Sequence, residues 1–379
     1  MNFFEIPKLF EIGDFLKWTY IKVILGMRKK IVLFVIALVA IGVSACSKLE
    51  IEPYKNSENV PYENEDFAMG TVITQRIYDN NAEEISKKVM DRIRKIEHDM
   101  TINKSGGQID KLNASAGIDF VELNEDTIYV LEKAKEFSKI SNGAFDVMIG
   151  PLVKEWDVFS HNPLVPSMKR IDDLLSLVSY EDVIIDKSAS KAKLEKKSQV
   201  VDLGGIAKGY AGDKSIELYR VHKVKSAFIS IGGNIVLLGS KPDGSLWKVG
   251  VRNPRGPEGS YIGVISAKDK AIVSSGDYQR YFEKDGVRYH HIIDPRTGYP
   301  ADSGLIGTTV ISELSIDADA LSTATFVLGL EKGMELIEKL EGVEAVFITN
   351  EKKIYITEGL SNSFEFEDEN NEYEYVEKR

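Results

Sequence analysis

The stretch Ala227-Phe228-Ile229-Ser230-Ile231-Gly232-Gly233-Asn234-Ile235-Val236-Leu237-Leu238 decides the fold. Two short apolar runs, Ala227 to Ile231 and Ile235 to Leu238, flank a glycine pair, which reads as two buried strands around a turn. Helices lie on either side of it. Upstream, Ile85, Val89, Ile93, Ile96 and Met100 recur at helical spacing, so Ala82 to Met100 reads as an amphipathic helix. A second runs from Asp126 to Ser141 and stops at Asn142-Gly143, a pair suited to a left-handed cap. Downstream, a helix from Glu331 to Leu340 leads through Gly342 to strands Ala345 to Thr349 and Lys353 to Ile356, joined at Asn350-Glu351. This mixed order points to an α+β protein with mixed sheets and helices.

Composition narrows what such a fold can do. With 379 residues, 43% of them hydrophobic and 28% charged, the chain has the make-up of a globular protein with a large core. Lys and Arg total 48 against 59 acids, and the net charge of -11 offers no broad attraction to nucleic acid phosphates. No nucleic acid partner is expected. The single cysteine excludes an intrachain disulfide and thiol-rich zinc or iron–sulfur sites.

That cysteine, Cys46, follows the apolar run Ile31 to Ala45, itself preceded by Arg28, Lys29 and Lys30. The run is shorter than the roughly 20 residues of a spanning helix, so it reads as a cleaved secretory signal over 27–45, starting at Met27. Residues 1–26 form an N-terminal extension outside the fold. Val43-Ser44-Ala45-Cys46 resembles a bacterial lipobox, in which the Cys46 thiol receives a diacylglycerol and becomes the mature N-terminus. The expected location is therefore extracytoplasmic, lipid-anchored to the cell or inner membrane. Residues 46–66 read as anchor and polar linker, and 361–379 as a solvated acidic tail. Residues 67–360 form one catalytic unit.

Three segments could carry chemistry. His290-His291-Ile292-Ile293-Asp294-Pro295-Arg296-Thr297-Gly298-Tyr299-Pro300 is a loop after a short strand, where one of two oppositely directed histidines faces the site and a nearby carboxylate orients the ring or faces a cation. Asp317-Ala318-Asp319-Ala320-Leu321-Ser322-Thr323-Ala324 opens a helix. Asp319 and Thr323, four apart, share a face and offer two hard oxygens to magnesium, whereas Asp317 can cap the helix alone. Both readings stay open. Val201-Asp202-Leu203-Gly204-Gly205-Ile206-Ala207-Lys208-Gly209-Tyr210 is a glycine turn between strand and helix that matches neither the P-loop nor the Rossmann pattern. Met69-Gly70-Thr71, Gly143-Ala144-Phe145-Asp146 and Ser274 to Arg280 are lesser pieces.

Together and in this order, these segments resemble the FAD:protein FMN transferase family (ApbE), from Met69 to about Gly329. The resemblance implies an ApbE-like, T-fold-like α+β domain that uses Mg2+ and cleaves FAD, passing FMN to a threonine hydroxyl of an acceptor flavoprotein while AMP leaves. By the same match His291 is the base, and Asp319, Thr323 and the main-chain carbonyl of Gly205 hold the metal. Flavin contacts fall on Met69, Ala144, Phe145, Asp146, Asp202, Lys208 and Ile293, with Arg280 a further contact. The sequence departs from the family at Asn103, where an aromatic often packs on the cofactor. The implied acceptor is a membrane redox complex subunit or an extracytoplasmic reductase. Two other readings fit the same residues: an FAD pyrophosphatase giving FMN and AMP, and a non-catalytic lipid-anchored flavin-binding protein.

Overall fold

The computed structural model describes residues 60–158, 160 and 163–376. The expected extension, signal segment, lipidation site Cys46 and most of the linker lie outside the described residues.

The described chain begins with strands β1 (Tyr62–Ala68) and β2 (Thr71–Ile77), then helices α1 (Ala82–Met100) and α2 (Gln108–Ala114). Next come β3 (Val121–Glu122), α3 (Glu125–Ile140), α4 (Gly150–Trp156), α5 (Met168–Leu175), β4 (Val183–Asp186), β5 (Lys191–Leu194) and α6 (Ala207–Val221). The strand-rich middle runs through β6 (Ala227–Ile231), β7 (Asn234–Leu238), β8 (Trp247–Arg252), β9 (Tyr261–Ala267), β10 (Ala271–Gly276), β11 (Tyr281–Lys284), β12 (Val287–His290) and β13 (Leu305–Ser312). Helices α7 (Ser315–Leu328) and α8 (Leu330–Glu338) precede β14 (Glu344–Thr349), β15 (Lys353–Ile356), β16 (Phe364–Phe366) and β17 (Glu374–Tyr375). The α+β expectation holds.

Nine strands make one sheet in the order β1-β2-β6-β7-β10-β13-β14-β15-β17. All its pairings are antiparallel except β15 with β17. The β6–β7 hairpin turns at Gly232-Gly233, both at positive φ, with Ile231 opposite Asn234. Two successive left-handed residues match the twist of a tight hairpin, and glycine adopts them without a steric penalty.

The two faces of this sheet bury different things. On one, α1, α6 and α7 pack over a core that includes Ile73, Ile229, Val310, Leu321 and Phe326. On the other, the small sheet β16-β9-β8 closes a second core around Trp247, Ile265, Ile311 and Ile348. Strand β13 lies between these layers and is buried at every residue. A third cluster gathers α4, α5 and the β11–β12 hairpin around Trp156, whose ring stacks on Tyr289.

Two expected boundaries move. The linker ends earlier than 66, because Tyr62–Ala68 is the edge strand β1. Its polar residues gave no apolar pattern, yet Glu63 pairs with Arg76 and Asp66 with Arg94, as suits a strand with one wet face. The tail is not simply solvated either. Phe364 packs against the second core, Tyr373 is buried within it, and Phe366 stacks on Tyr375. Four spaced aromatics anchor a segment rich in acids.

Candidate functional site

The site is built where α6 crosses α7. Gly209 and Gly212 of α6 make a close crossing possible: a Cβ on Gly209 would lie 2.3 Å from the Ser315 carbonyl oxygen and 2.7 Å from Asp319 Cβ. At this crossing Asp319 is buried. Its Oδ2 accepts the Gly209 N–H at 2.8 Å, and its Oδ1 stands 3.3 Å from the Lys208 ammonium. Lys208 also donates to the Gly204 carbonyl at 3.2 Å. Gly205 lies against the same helix, since a Cβ there would sit 3.5 Å from Thr323 Oγ1 and 3.1 Å from the Phe145 ring. Gly205, Asp319, Thr323, Lys208 and Phe145 are thus brought together.

Among the described residues no three of His, Cys, Asp and Glu gather as a metal cluster. What gathers is the Asp319 carboxylate and the Thr323 hydroxyl, with the Gly205 backbone beside that hydroxyl. Those hard oxygens fit magnesium, and the Asp319 carboxylate already faces the positive charge of Lys208.

The histidine pair divides: His290 is the last residue of β12, and His291 lies just beyond it. His290 is buried, its Nε2 3.0 Å from the Ala301 carbonyl and its ring edge-on to Phe326, so it serves the core. His291 is partly buried. Its main-chain N–H donates to the Arg280 carbonyl at 3.1 Å, and its Nδ1 is 3.2 Å from that oxygen. A carbonyl can only accept, so Nδ1 carries the proton and the basic lone pair is on Nε2. Desolvation pushes the ring down to about 3; the Arg280 carbonyl opposes this, and charge on His290, Arg280 and Lys208 adds to it. The imidazole is neutral at pH 7, and Lys208 lies close enough for its charge to be felt there.

Arg280 ties a third loop to this one. Its guanidinium donates to the Gly70 carbonyl at 3.0 Å, at the tip of the β1–β2 hairpin, where Met69 and Gly70 both have positive φ. Arg280 thus links the hairpin tip, through Gly70, to His291.

Other expected contacts have structural employment. Asp146 is buried, and its two carboxylate oxygens accept the Met148 and Tyr180 N–H groups, each at 2.8 Å. Burial pushes its carboxyl up to about 6 against those two bonds. Burial also raises Asp202, whose Oδ1 accepts the Gly204 N–H at 2.8 Å and shapes the glycine turn. Ala144 and Phe145 sit in the main core. Ile293 places its side chain in the Trp156 cluster, and its main chain bridges Pro300. Asn103 is exposed.

Two expectations change. Asp294 does not orient His291, because Arg296 holds both of its oxygens, at 2.8 and 2.7 Å. Asp317 does not cap α7. The helix starts two residues earlier, and Asp317 pairs instead with Lys133 at 3.0 Å. Its cap is Asp213 of α6, whose Oδ1 and Oδ2 accept the N–H groups of Ser315 and Ile316 at 2.7 and 2.9 Å. Sequence reading missed Asp213 because nothing local links residues 102 positions apart.

Comparison with known proteins shows that this α+β scaffold is that of an enzyme and gives its kind. The chain belongs to the ApbE family, whose profile matches residues 69–347. It is 35% identical over 301 residues to an FAD:protein FMN transferase of Klebsiella pneumoniae, covering 79% of this chain and 93% of the relative. Against the FAD:protein FMN transferase of Treponema pallidum the identity is 33%, covering 86% and 93%. The crystal structure of an ApbE protein from Thermotoga maritima superposes with a TM-score of 0.74 at 32% identity, covering 79% of this chain and 98% of that one. The flavinyl transferase ApbE of Pseudomonas stutzeri, in its apo form, gives 0.71 at 27%, covering 80% and 96%.

Proposed function

We propose that this chain is an FAD:protein FMN transferase, moving FMN from FAD to a threonine hydroxyl of an acceptor flavoprotein and releasing AMP. The observation that carries it is the Lys208–Asp319 pair at the helix crossing, beside which Gly205 and Thr323 also lie, with the charge of Lys208 felt at the desolvated His291 ring. The names of the relatives support the same reading.

In the proposed step the acceptor oxygen bonds to the phosphorus on the riboflavin side of the pyrophosphate. The bond from that phosphorus to the bridging oxygen breaks, and AMP leaves with that oxygen. The hydroxyl proton passes to Nε2 of His291, which the Arg280 carbonyl holds in the right tautomer. Lys208 and Arg280 place positive charge around the anionic substrate. Magnesium, held by Asp319, Thr323 and the Gly205 carbonyl, would supply further charge stabilisation on the phosphate oxygens. His291→Ala is the direct test. Transfer should fall by at least about 100-fold, as for a lost general base, with FAD affinity little changed. Equal loss of binding would contradict the role.

The proposed setting is the outer face of a membrane, with Cys46 lipidated and the acceptor a redox complex subunit or reductase on that face. The motif Val43-Ser44-Ala45-Cys46 supports it. Cys46→Ser should move the protein from the membrane fraction to the soluble one; continued membrane retention would count against the anchor.

A further inference from the structure

We propose that Asp213 is a positioning residue of the site: its carboxylate, carried on α6, fixes the start of α7 and so sets where Asp319 and Thr323 stand. The inference rests on the metal reading above and deepens it.

Helix α7 has no cap of its own. The residue before it is Leu314, which makes no side-chain capping bond, so its first amides need an acceptor from elsewhere. Asp213 supplies both acceptors, with one oxygen on each of two successive N–H groups. A serine or asparagine at 314 would satisfy an amide while leaving α7 free to slide along α6. A cap drawn from the neighbouring helix satisfies the amides and fixes the crossing at once.

The connection also runs the other way. Four residues before Asp213, the Gly209 N–H donates to Asp319 Oδ2, a carboxylate carried by α7. Each helix therefore sends an aspartate to the main chain of the other, at neighbouring points of one contact. Asp319 stands three residues after Ile316, less than one turn from the capped amides, and Thr323 follows one turn later on the same face. Gly209 and Gly212 let the two backbones approach closely here, so that these two main-chain bonds set the register at the point of contact. Ser322 adds support from the sheet side, its hydroxyl 2.9 Å from that of Ser275.

Removing Asp213 should thus loosen the ligands without touching them. Loss of a partner that orients a metal ligand typically weakens affinity ten- to a hundred-fold. The test titrates Mg2+ alone into the FAD-free protein by calorimetry, and measures kcat and the Mg2+ half-saturation of FMN transfer in parallel. Asp213→Asn retains one acceptor oxygen and should weaken Mg2+ about tenfold, with kcat largely restored at saturating Mg2+. Asp213→Ala should weaken it further. Ile337→Ala, which opens a cavity in the core beside α8, controls for lost stability: it should lower Tm and leave Mg2+ affinity unchanged. An Asp213→Asn titration that superimposes on wild type would overturn the inference. So would an equal weakening by Ile337→Ala. A wild-type protein that binds no Mg2+ would instead overturn the metal reading beneath it.

Discussion

In its proposed role His291 has to be basic enough to take a proton and yet neutral beforehand, and its surroundings favour the second condition strongly. Desolvation lowers its folded pKa to about 3, below the unfolded value of 6.5. As pH falls from about 6.5 towards 3, the unfolded chain takes up a proton at this position that the folded chain refuses. Folding is therefore destabilised through that window and insensitive to this group above it. Replacing His291 with Gln should flatten the acid limb of a Tm-against-pH curve. An unchanged limb would show that the ring is not desolvated. The same shift means that His291 itself should not limit activity at mildly acidic pH. An acid limb in kcat/KM near pH 6 would have to arise elsewhere, and Asp146 and Asp213, both pushed up to about 6 by burial, are the groups placed to cause it.

At the scale of elements, the crossing of α6 and α7 is what turns scattered residues into a site. Gly209→Ala tests it. The new methyl would meet the Ser315 carbonyl at 2.3 Å, a backbone atom that cannot swing aside, so the helices must part. The expected loss is about 1–3 kcal/mol of stability, measured by denaturant unfolding, together with weakened Mg2+ binding. A variant as stable and active as wild type would show that the crossing tolerates a shift.

The same crossing shows what could and could not be read in advance. Strands around Gly232-Gly233 and the long helix from Ala82 were legible because their periodicity and turn chemistry are local. The start of α7 was not, because its cap comes from Asp213, far away in the sequence. Asp319 and Thr323 could be paired by their four-residue spacing. Their proximity to Gly205 and Lys208 could be reached only through family resemblance, since no local pattern brings residues 205 and 323 together. Asp294 illustrates the opposite error, a carboxylate near a histidine in sequence that binds the nearer Arg296 instead.

Across the whole molecule, the C-terminal segment closes the second core and reaches back towards the site loops. The Tyr373 hydroxyl donates to Asn253 Oδ1 at 2.7 Å, and Arg255, two residues on, grips Asp277 at 2.8 and 2.7 Å. Asp277 lies three residues before Arg280. Tyr373→Phe should cost only about 0.5–1.5 kcal/mol, since the Arg255 and Gly256 N–H groups still serve Asn253. Deleting 361–379 should cost far more, because it uncovers the face that Phe364 and Tyr373 bury. A truncated chain with an unchanged Tm would mean that the tail is dispensable to the core.

The central claim joins these scales: a neutral histidine and a two-helix crossing form one site that moves FMN onto protein. Its most direct test is the intact mass of a threonine-bearing flavoprotein acceptor after incubation with the signal-free chain, FAD and Mg2+. The expected result is an acceptor heavier by one FMN, with AMP released in equal amount, and no gain with EDTA or with His291→Ala. Free FMN and AMP beside an unmodified acceptor would make the chain a pyrophosphatase, and intact FAD throughout would contradict catalysis altogether.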